Sequence, residues 1–140
     1  MNTMHVAIVS AEKELFSGDV TFFAGTSISG ELGIFPGHLP LLTQLVPGQV
    51  RLKTTNGAED VFWISGGILE IQPNQIIVLA ESAERADDLD EAEAKAARER
   101  VESMLQKQND DFNFAKAQTE LREINAKIDA IERYRKIGKI

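Results

Sequence analysis

The chain has 140 residues, 43% of them hydrophobic, and a formal net charge of −7. That is enough apolar material for a packed core, and the charge has the wrong sign for a face that displaces counterions from nucleic-acid phosphates. The absence of cysteine removes disulfide scaffolds, thiolate metal sites and thiol nucleophiles, and fits a reducing compartment.

The longest apolar run, Ile76 to Ala80, is far short of the roughly 18 residues that a membrane span needs. With no basic residue before Lys13, and Glu12 and Glu14 beside it, no secretory signal peptide is expected. Composition changes near residue 80. Residues 1–80 hold nine of the ten glycines, all four prolines and ten charged residues, whereas residues 81–140 hold one glycine, no proline and 27 charged residues. The first part has the punctuation of an all-β fold and the second that of surface helices.

Turn signals recur at Ser17-Gly18, Gly30, Pro36-Gly37, Pro47-Gly48, Asn56-Gly57, Gly66-Gly67 and Pro73-Asn74, with short apolar stretches between them. A spacing of about ten residues predicts a sandwich or barrel. The clearest hairpin runs from Val50 to Ile64: Val50, Leu52 and Thr54 alternate with polar residues, and Asn56-Gly57 supplies two residues that tolerate positive φ. The return strand, Val61-Phe62-Trp63-Ile64, is apolar on both faces. One face is expected to meet the core and the other something else.

Asp88 followed by Glu91 is a capping-box arrangement that predicts a helix from Leu89 to about Lys107. Gln108 to Asp111 reads as a short connection, with Asp111 a candidate cap for a second helix from Phe112 to Ile137, about 39 Å long. In it Phe114, Ala117, Leu121, Ile124, Ile128 and Ile131 recur at spacings of 3 and 4, the seam of a helix that packs along another. Alanines on the first helix allow close approach. The fold class is therefore α+β: an N-terminal antiparallel β-sandwich (1–86) followed by a C-terminal antiparallel two-helix hairpin (87–140).

Motifs of chemistry are missing. No phosphate loop is present, and Gly25-Thr26-Ser27-Ile28-Ser29 lacks the last glycine of a nucleophile elbow. His5 and His38 are too few for a histidine metal site, Ser65 has no histidine near it in sequence, and the helical acids mostly sit beside solvent-facing bases. No catalytic residue, metal or cofactor is expected, and an enzyme on a small sandwich is the disfavoured alternative.

Two stretches carry more information: Gly30-Glu31-Leu32-Gly33-Ile34-Phe35-Pro36-Gly37-His38-Leu39-Pro40-Leu41-Leu42-Thr43, and Ser65 to Pro73 continuing through Val78 to Glu81 and Leu89 to Ala92. With Val9 to Glu12 and Phe16 to Gly18, they resemble the epsilon subunit of the bacterial rotary ATP synthase over nearly the whole chain. The resemblance implies a non-catalytic subunit of the rotor's central stalk, peripheral on the cytoplasmic face of the bacterial inner membrane, that couples proton-driven rotation to ATP synthesis.

It further implies that the sandwich rests on the gamma subunit and the c ring, through Glu31, Leu32, Gly33, Ile34, Phe35, Pro36, Gly37, His38 and Leu42. For Ile34 and Leu41, folding back into the sandwich is an equal expectation, while Glu31 and His38 are expected to make polar contacts that fix register. Leu39 departs from the smaller residue that the family often has. The hairpin is implied to lie folded on the sandwich or to extend along gamma into the catalytic head, blocking hydrolysis. Its seam (Phe114, Ala117, Leu121, Ile124, Ile128, Ile131) would change partner. Its basic end (Arg133, Arg135, Lys136, Lys139) would approach an acidic segment of the beta subunit beside alpha, although cations there also suit the helix dipole.

Some members bind ATP through a motif of Ile or Leu, Asp, two variable residues, Arg and Ala. The matching stretch holds Leu89, Asp90, Glu93 and Ala94, with Glu93 where the arginine would stand, and seven acids face one base, Arg85, between Glu81 and Glu93. ATP binding is not expected, although Arg85 or Arg122 could reach a nucleotide, and an ATP-sensing module is kept as the alternative. A free-standing adaptor is the third reading.

Overall fold

The computed structural model describes residues 2–107 and 113–138. The elements are β1 (Met4–Ser10), β2 (Glu14–Ser27), β3 (Gly30–Ile34), β4 (Leu41–Thr54), β5 (Glu59–Ile64), β6 (Gly67–Gln72), β7 (Gln75–Ala80), β8 (Ala83–Arg85), a 3-10 turn at Ala86–Asp88, α1 (Glu91–Gln106) and α2 (Phe114–Gly138). The strands run in the order β3-β2-β1-β7-β6-β4-β5-β8, and a further pairing of β2 with β4 folds the sheet back on itself. Two long strands make this possible. The first half of β2 pairs with β1 and its second half with β3 and β4; β4 pairs first with β6 and then with β5 and β2. Breaks in register between Val20 and Phe22 and between Gly25 and Ser27 bend β2. All pairings are antiparallel except that of β1 with β7.

Because side chains alternate along a strand, each one delivers every second residue to the interior. Met4, Val6 and Ile8 of β1, Leu69 and Ile71 of β6, and Ile76 and Val78 of β7 meet Phe23, Val50, Leu52, Phe62 and Ile64 in one core. Each such side chain contributes about 1.5–3 kcal/mol on burial. The both-faced apolar strand β5 resolves as the alternation requires. Phe62 and Ile64 enter this core, whereas Val61 and Trp63 lie outside it under α2, clustered with Ala86, Ala126 and Ala130. The face expected to meet something else meets the helical hairpin.

The β4–β5 hairpin forms as expected, from Gly48 opposite Ile64 to Lys53 opposite Glu59. Its turn is wider than two residues. Only Gly57 takes a positive φ, of 87°, while Asn56 acts through its side chain, whose Oδ1 accepts the Ala58 N–H at 3.0 Å.

Both helix starts move from their expected positions. Asp88 closes the 3-10 turn, and Leu89 is extended (φ −81°, ψ 141°). The cap of α1 is Asp90, whose carboxylate accepts the Glu93 N–H at 3.1 Å. The reason is tertiary: Leu89 packs against both apolar clusters of the hairpin, and an extended backbone lets it do so. For α2 the capping side chain is Asn113, whose Oδ1 accepts the Lys116 N–H at 3.0 Å. Asp111 and the rest of the expected connection lie outside the described residues.

Helix α2 has two working faces. Ile124, Ile128 and Ile131 pack with Ala94 and Leu89, while Ala126, Ala130 and Ile137 sit on Val61 and Trp63. The small alanines bring the helix close to the sheet, and Lys127 places its ammonium 4.4 Å from the centre of the Trp63 ring.

Candidate functional site

The sandwich leaves one apolar surface uncovered. Ile68 and Leu79 stand opposite each other on β6 and β7, and Leu42 stands opposite Glu70, so all three point away from the core on one face. They are 49%, 54% and 70% exposed. The register continues this face through Ile77, opposite Glu70, and Val9, opposite Leu79. Three large exposed side chains together, with a carboxylate among them, make a patch of the kind that marks a docking surface. Of these residues only Leu42 was anticipated. The missed signal is the run Ile76 to Ala80, apolar on both faces as β5 is.

Beyond this patch lies the segment from Gly30 to Thr43. Phe35, 65% exposed, leans on Phe22 with ring centroids 5.0 Å apart, and the Phe22 ring also lies beside Gly33. Leu39 and Ile28 are exposed as well. After Pro36, Gly37 turns the chain at φ 90°, and its N–H donates to the Pro73 carbonyl at 2.9 Å, tying the segment to the β6–β7 turn.

Ile34 takes the inward of its two expected positions: it is only 1% exposed and belongs to the core. Leu32 packs against that core, so its side chain is not fully presented to a partner. Both lie on β3, where pairing with β2 fixes which residues turn inward. Leu41, by contrast, remains partly uncovered instead of folding fully back. The two polar candidates already have internal partners: Glu31 accepts from Arg51 Nη2 at 2.6 Å, and His38 Nδ1 lies 2.6 Å from the Leu39 carbonyl oxygen.

On the hairpin, Ala117, Ile128 and Ile131 of the expected seam are buried, Leu121 and Ile124 partly so, and Phe114 lies largely exposed at the start of α2. The four cations of the basic end do not act as one group. Arg135 donates to Glu91 of α1, Arg133 faces the sandwich, Lys136 is exposed, and Lys139 lies outside the described residues. Arg135, first, and then Lys95 at 3.3 Å hold the Glu91 carboxyl below its ordinary pKa against the opposing effect of partial burial. A depressed carboxyl stabilises the fold above its unfolded pKa, and that contribution is lost as pH falls through the folded value. Arg135→Gln is expected to raise the Glu91 pKa toward the ordinary carboxylate range. Carboxyl-carbon NMR titration of both proteins checks it, and coincident titration curves would contradict the clasp.

Leu89, Asp90, Glu93 and Ala94 do come together, at a cavity of about 180 Å³ that is also lined by Glu84, Asp88, Ala97, Ile124 and Lys127. Four carboxylates face one ammonium, which is already 3.7 Å from Glu84. Arg85 is engaged elsewhere, with Asp60 and Asp87, and Arg122 lines a different groove. The cavity is smaller than the roughly 300 Å³ at which ligand pockets begin, and its sign repels phosphates. Among the described residues no group of three acidic, histidine or cysteine side chains could hold a metal ion, and no helix is long and apolar enough to cross a membrane.

Residues 3–86 match the family described as ATP synthase, Delta/Epsilon chain, beta-sandwich domain, and residues 87–132 match ATP synthase, Delta/Epsilon chain, long alpha-helix domain. The chain is 52% identical over 134 residues to the ATP synthase epsilon chain of Nitrosococcus oceani, covering 96% of each. It is 46% identical over 135 residues to that of Polaromonas naphthalenivorans, covering 96% of this chain and 98% of the relative. Among solved structures, it resembles a chain of the Euglena gracilis mitochondrial ATP synthase (OSCP/F1/c-ring), with a TM-score of 0.80, 17% identity, and coverage of 89% of this chain and 78% of that one. It also resembles a chain of the Tetrahymena thermophila mitochondrial ATP synthase (central stalk/c-ring), with a TM-score of 0.55, 15% identity, and coverage of 94% and 96%. At these identities the two structures speak to the fold alone.

Proposed function

The chain belongs to the ATP synthase delta/epsilon family, as a non-catalytic subunit, and from that premise we propose that it works in two parts: a sandwich that docks on the rotor and a hairpin that brakes hydrolysis. The observation that carries the first part is the uncovered face of Leu42, Ile68 and Leu79. This face, with Phe35 and Leu39 beyond it, seats the subunit on gamma and the c ring, peripheral to the cytoplasmic face of the bacterial inner membrane. The subunit thereby couples proton-driven rotation to synthesis.

The second part follows from how lightly α2 is held. Its contact with the sandwich rests on Ala126, Ala130 and Ile137 over Val61 and Trp63, with Lys127 over the Trp63 ring and beside Glu84. Beneath it Gln49 and Trp63 stand opposite each other on β4 and β5, and neither Gln49 Oε1 nor Trp63 Nε1 finds a hydrogen-bond partner among the described residues. An unsatisfied buried polar group costs about 1–3 kcal/mol. That cost offsets much of what the alanines contribute, so the docked position lies within a few kcal/mol of one in which gamma covers the seam and Lys136 and Arg133 approach the beta subunit. ATP sensing at Asp90 and Glu93 has the acidic lining against it.

The docking reading is tested with Ile68→Glu in the assembled complex. Both changed and original side chains are solvent-exposed in the isolated chain, so its melting temperature should stay constant. A carboxylate forced unpaired into an interface costs about 2–5 kcal/mol, so affinity for gamma should fall by at least about thirtyfold in a pull-down titration. Unchanged affinity would move the interface elsewhere.

A further inference from the structure

A second cleft opens where the last turns of α2 pass the far end of the sandwich. It has a volume of about 460 Å³ and is lined by Thr21, Phe22, Phe35, Arg51, Lys53, Glu59 and Arg133. Three cations therefore converge from two parts of the molecule: Arg51 and Lys53 from alternate positions on one face of β4, and Arg133 from the docked helix. Arg51 is committed to acids, 2.6 Å from Glu31 and 3.9 Å from Glu59. Lys53 and Arg133 are not: among the described residues neither has an ion-pair partner. Counting Glu31 and Glu59, the cleft carries +3 − 2 = +1 in a chain of net charge −7.

Lys53 and Arg133 share the cleft with no acid among the described residues paired to either, and an anion between like charges relieves their repulsion. The aromatic wall supports one. Phe22 and Phe35 stack into an apolar wall on one side of the cleft, and the lower polarity on that side strengthens charge-assisted hydrogen bonds to an oxyanion. Arg133 offers a planar fork of donors and Lys53 a compact ammonium, the pair of groups that phosphates favour. The cavity at Asp90 and Glu93 has the opposite sign, so this cleft is chemically distinct from it.

We propose that the cleft between Lys53 and Arg133 binds a small polyvalent oxyanion of the phosphate class and thereby bridges the sandwich to α2. A ligand that binds only while Arg133 is docked stabilises the docked hairpin by mass action. Its relevance to hydrolysis rests on the reading of the hairpin as a brake; the binding itself does not.

The test is calorimetric titration of the full chain with pyrophosphate at constant ionic strength. One saturable site is expected, weakened about tenfold or more by Lys53→Gln and by Arg133→Gln. Lys13→Gln, in the β1–β2 turn, removes the same charge away from the cleft and should leave affinity within twofold. Weak binding that does not distinguish the three variants would mean an adventitious ion only and overturn the site. Trp63 is the chain's single tryptophan and lies under α2, so its emission reports docking. Pyrophosphate should raise the urea concentration at which that emission shifts, in the native chain but not in Arg133→Gln. Saturable binding without this shift would place the anion on the sandwich alone and overturn the bridge.

Discussion

A complex carrying Val61→Cys and Ala130→Cys is expected to hydrolyse ATP about two- to tenfold faster once oxidised, and to return to its starting rate on reduction. The two positions share one apolar cluster between β5 and α2, and the native chain has no cysteine to compete. A bond between them pins the hairpin to the sandwich and removes the braked position. Where docked and braked positions lie within about 1.4 kcal/mol of each other, the braked one holds up to roughly nine-tenths of the complexes, which sets the range. Deletion of the chain after Asp87 should give the same rate as the oxidised variant, with assembly retained. If the disulfide is confirmed by loss of free thiol and hydrolysis does not change, the hairpin is no brake, and docking through Leu42, Ile68 and Leu79 is untouched by that result.

Gly67→Ala is expected to cost more than about 4 kcal/mol, in the exceptional class for a single methyl group and a large share of the roughly 5–15 kcal/mol that holds a domain together. Gly67 opens β6 between Leu45 of β4 and Ala80 of β7, at a φ of 156°. A Cβ there would lie 2.1 Å from the Leu79 carbonyl oxygen and 2.8 Å from the Ala80 Cα. Both obstacles are backbone, so no rotamer relieves them, and β6 must leave β7 to make room. Urea denaturation followed by circular dichroism measures the loss. A cost under about 1 kcal/mol would mean that the strand shifts without losing its register. Leu79, whose carbonyl stands in the way, also carries the exposed apolar face, so a partially folded variant should lose gamma as well.

The sandwich-then-hairpin order was legible because glycine, proline and charge change together near residue 80. The two faces of β5 were legible too, since four consecutive apolar residues in a strand need two apolar surroundings. Other features depended on context. Asp88 and Asp90 are equally good caps by chemistry, and the position of Leu89 between two clusters chose the second. The alanine face of α2 was invisible because alanine is also what any surface helix uses as filler. Ile68 and Leu79 read as ordinary strand residues, since only the pairing of β6 with β7 shows that both point outward on one face. The division of the basic end could have been read from geometry: at about 3.6 residues per turn, Arg133 and Arg135 point to different sides of a helix, and they do turn to different neighbours, Arg133 to the sandwich and Arg135 to α1.

The parallel seating of β1 beside β7 has a consequence for synthesis. Once made, β1 finds this second neighbour only when Gln75 to Ala80 emerges from the ribosome, some seventy residues later. Until then β1 offers a bare edge that invites pairing with other nascent chains. Loop-closure entropy must be met before so distant a contact rewards it, and sandwiches accordingly fold in the millisecond-to-second range, whereas helices form within microseconds. The hairpin, translated after the sandwich, arrives at a platform on which Val61 and Trp63 have already been made. A slow stretch of translation just after Ala80 would favour the yield of folded subunit, and one placed before Gln75 would favour aggregates.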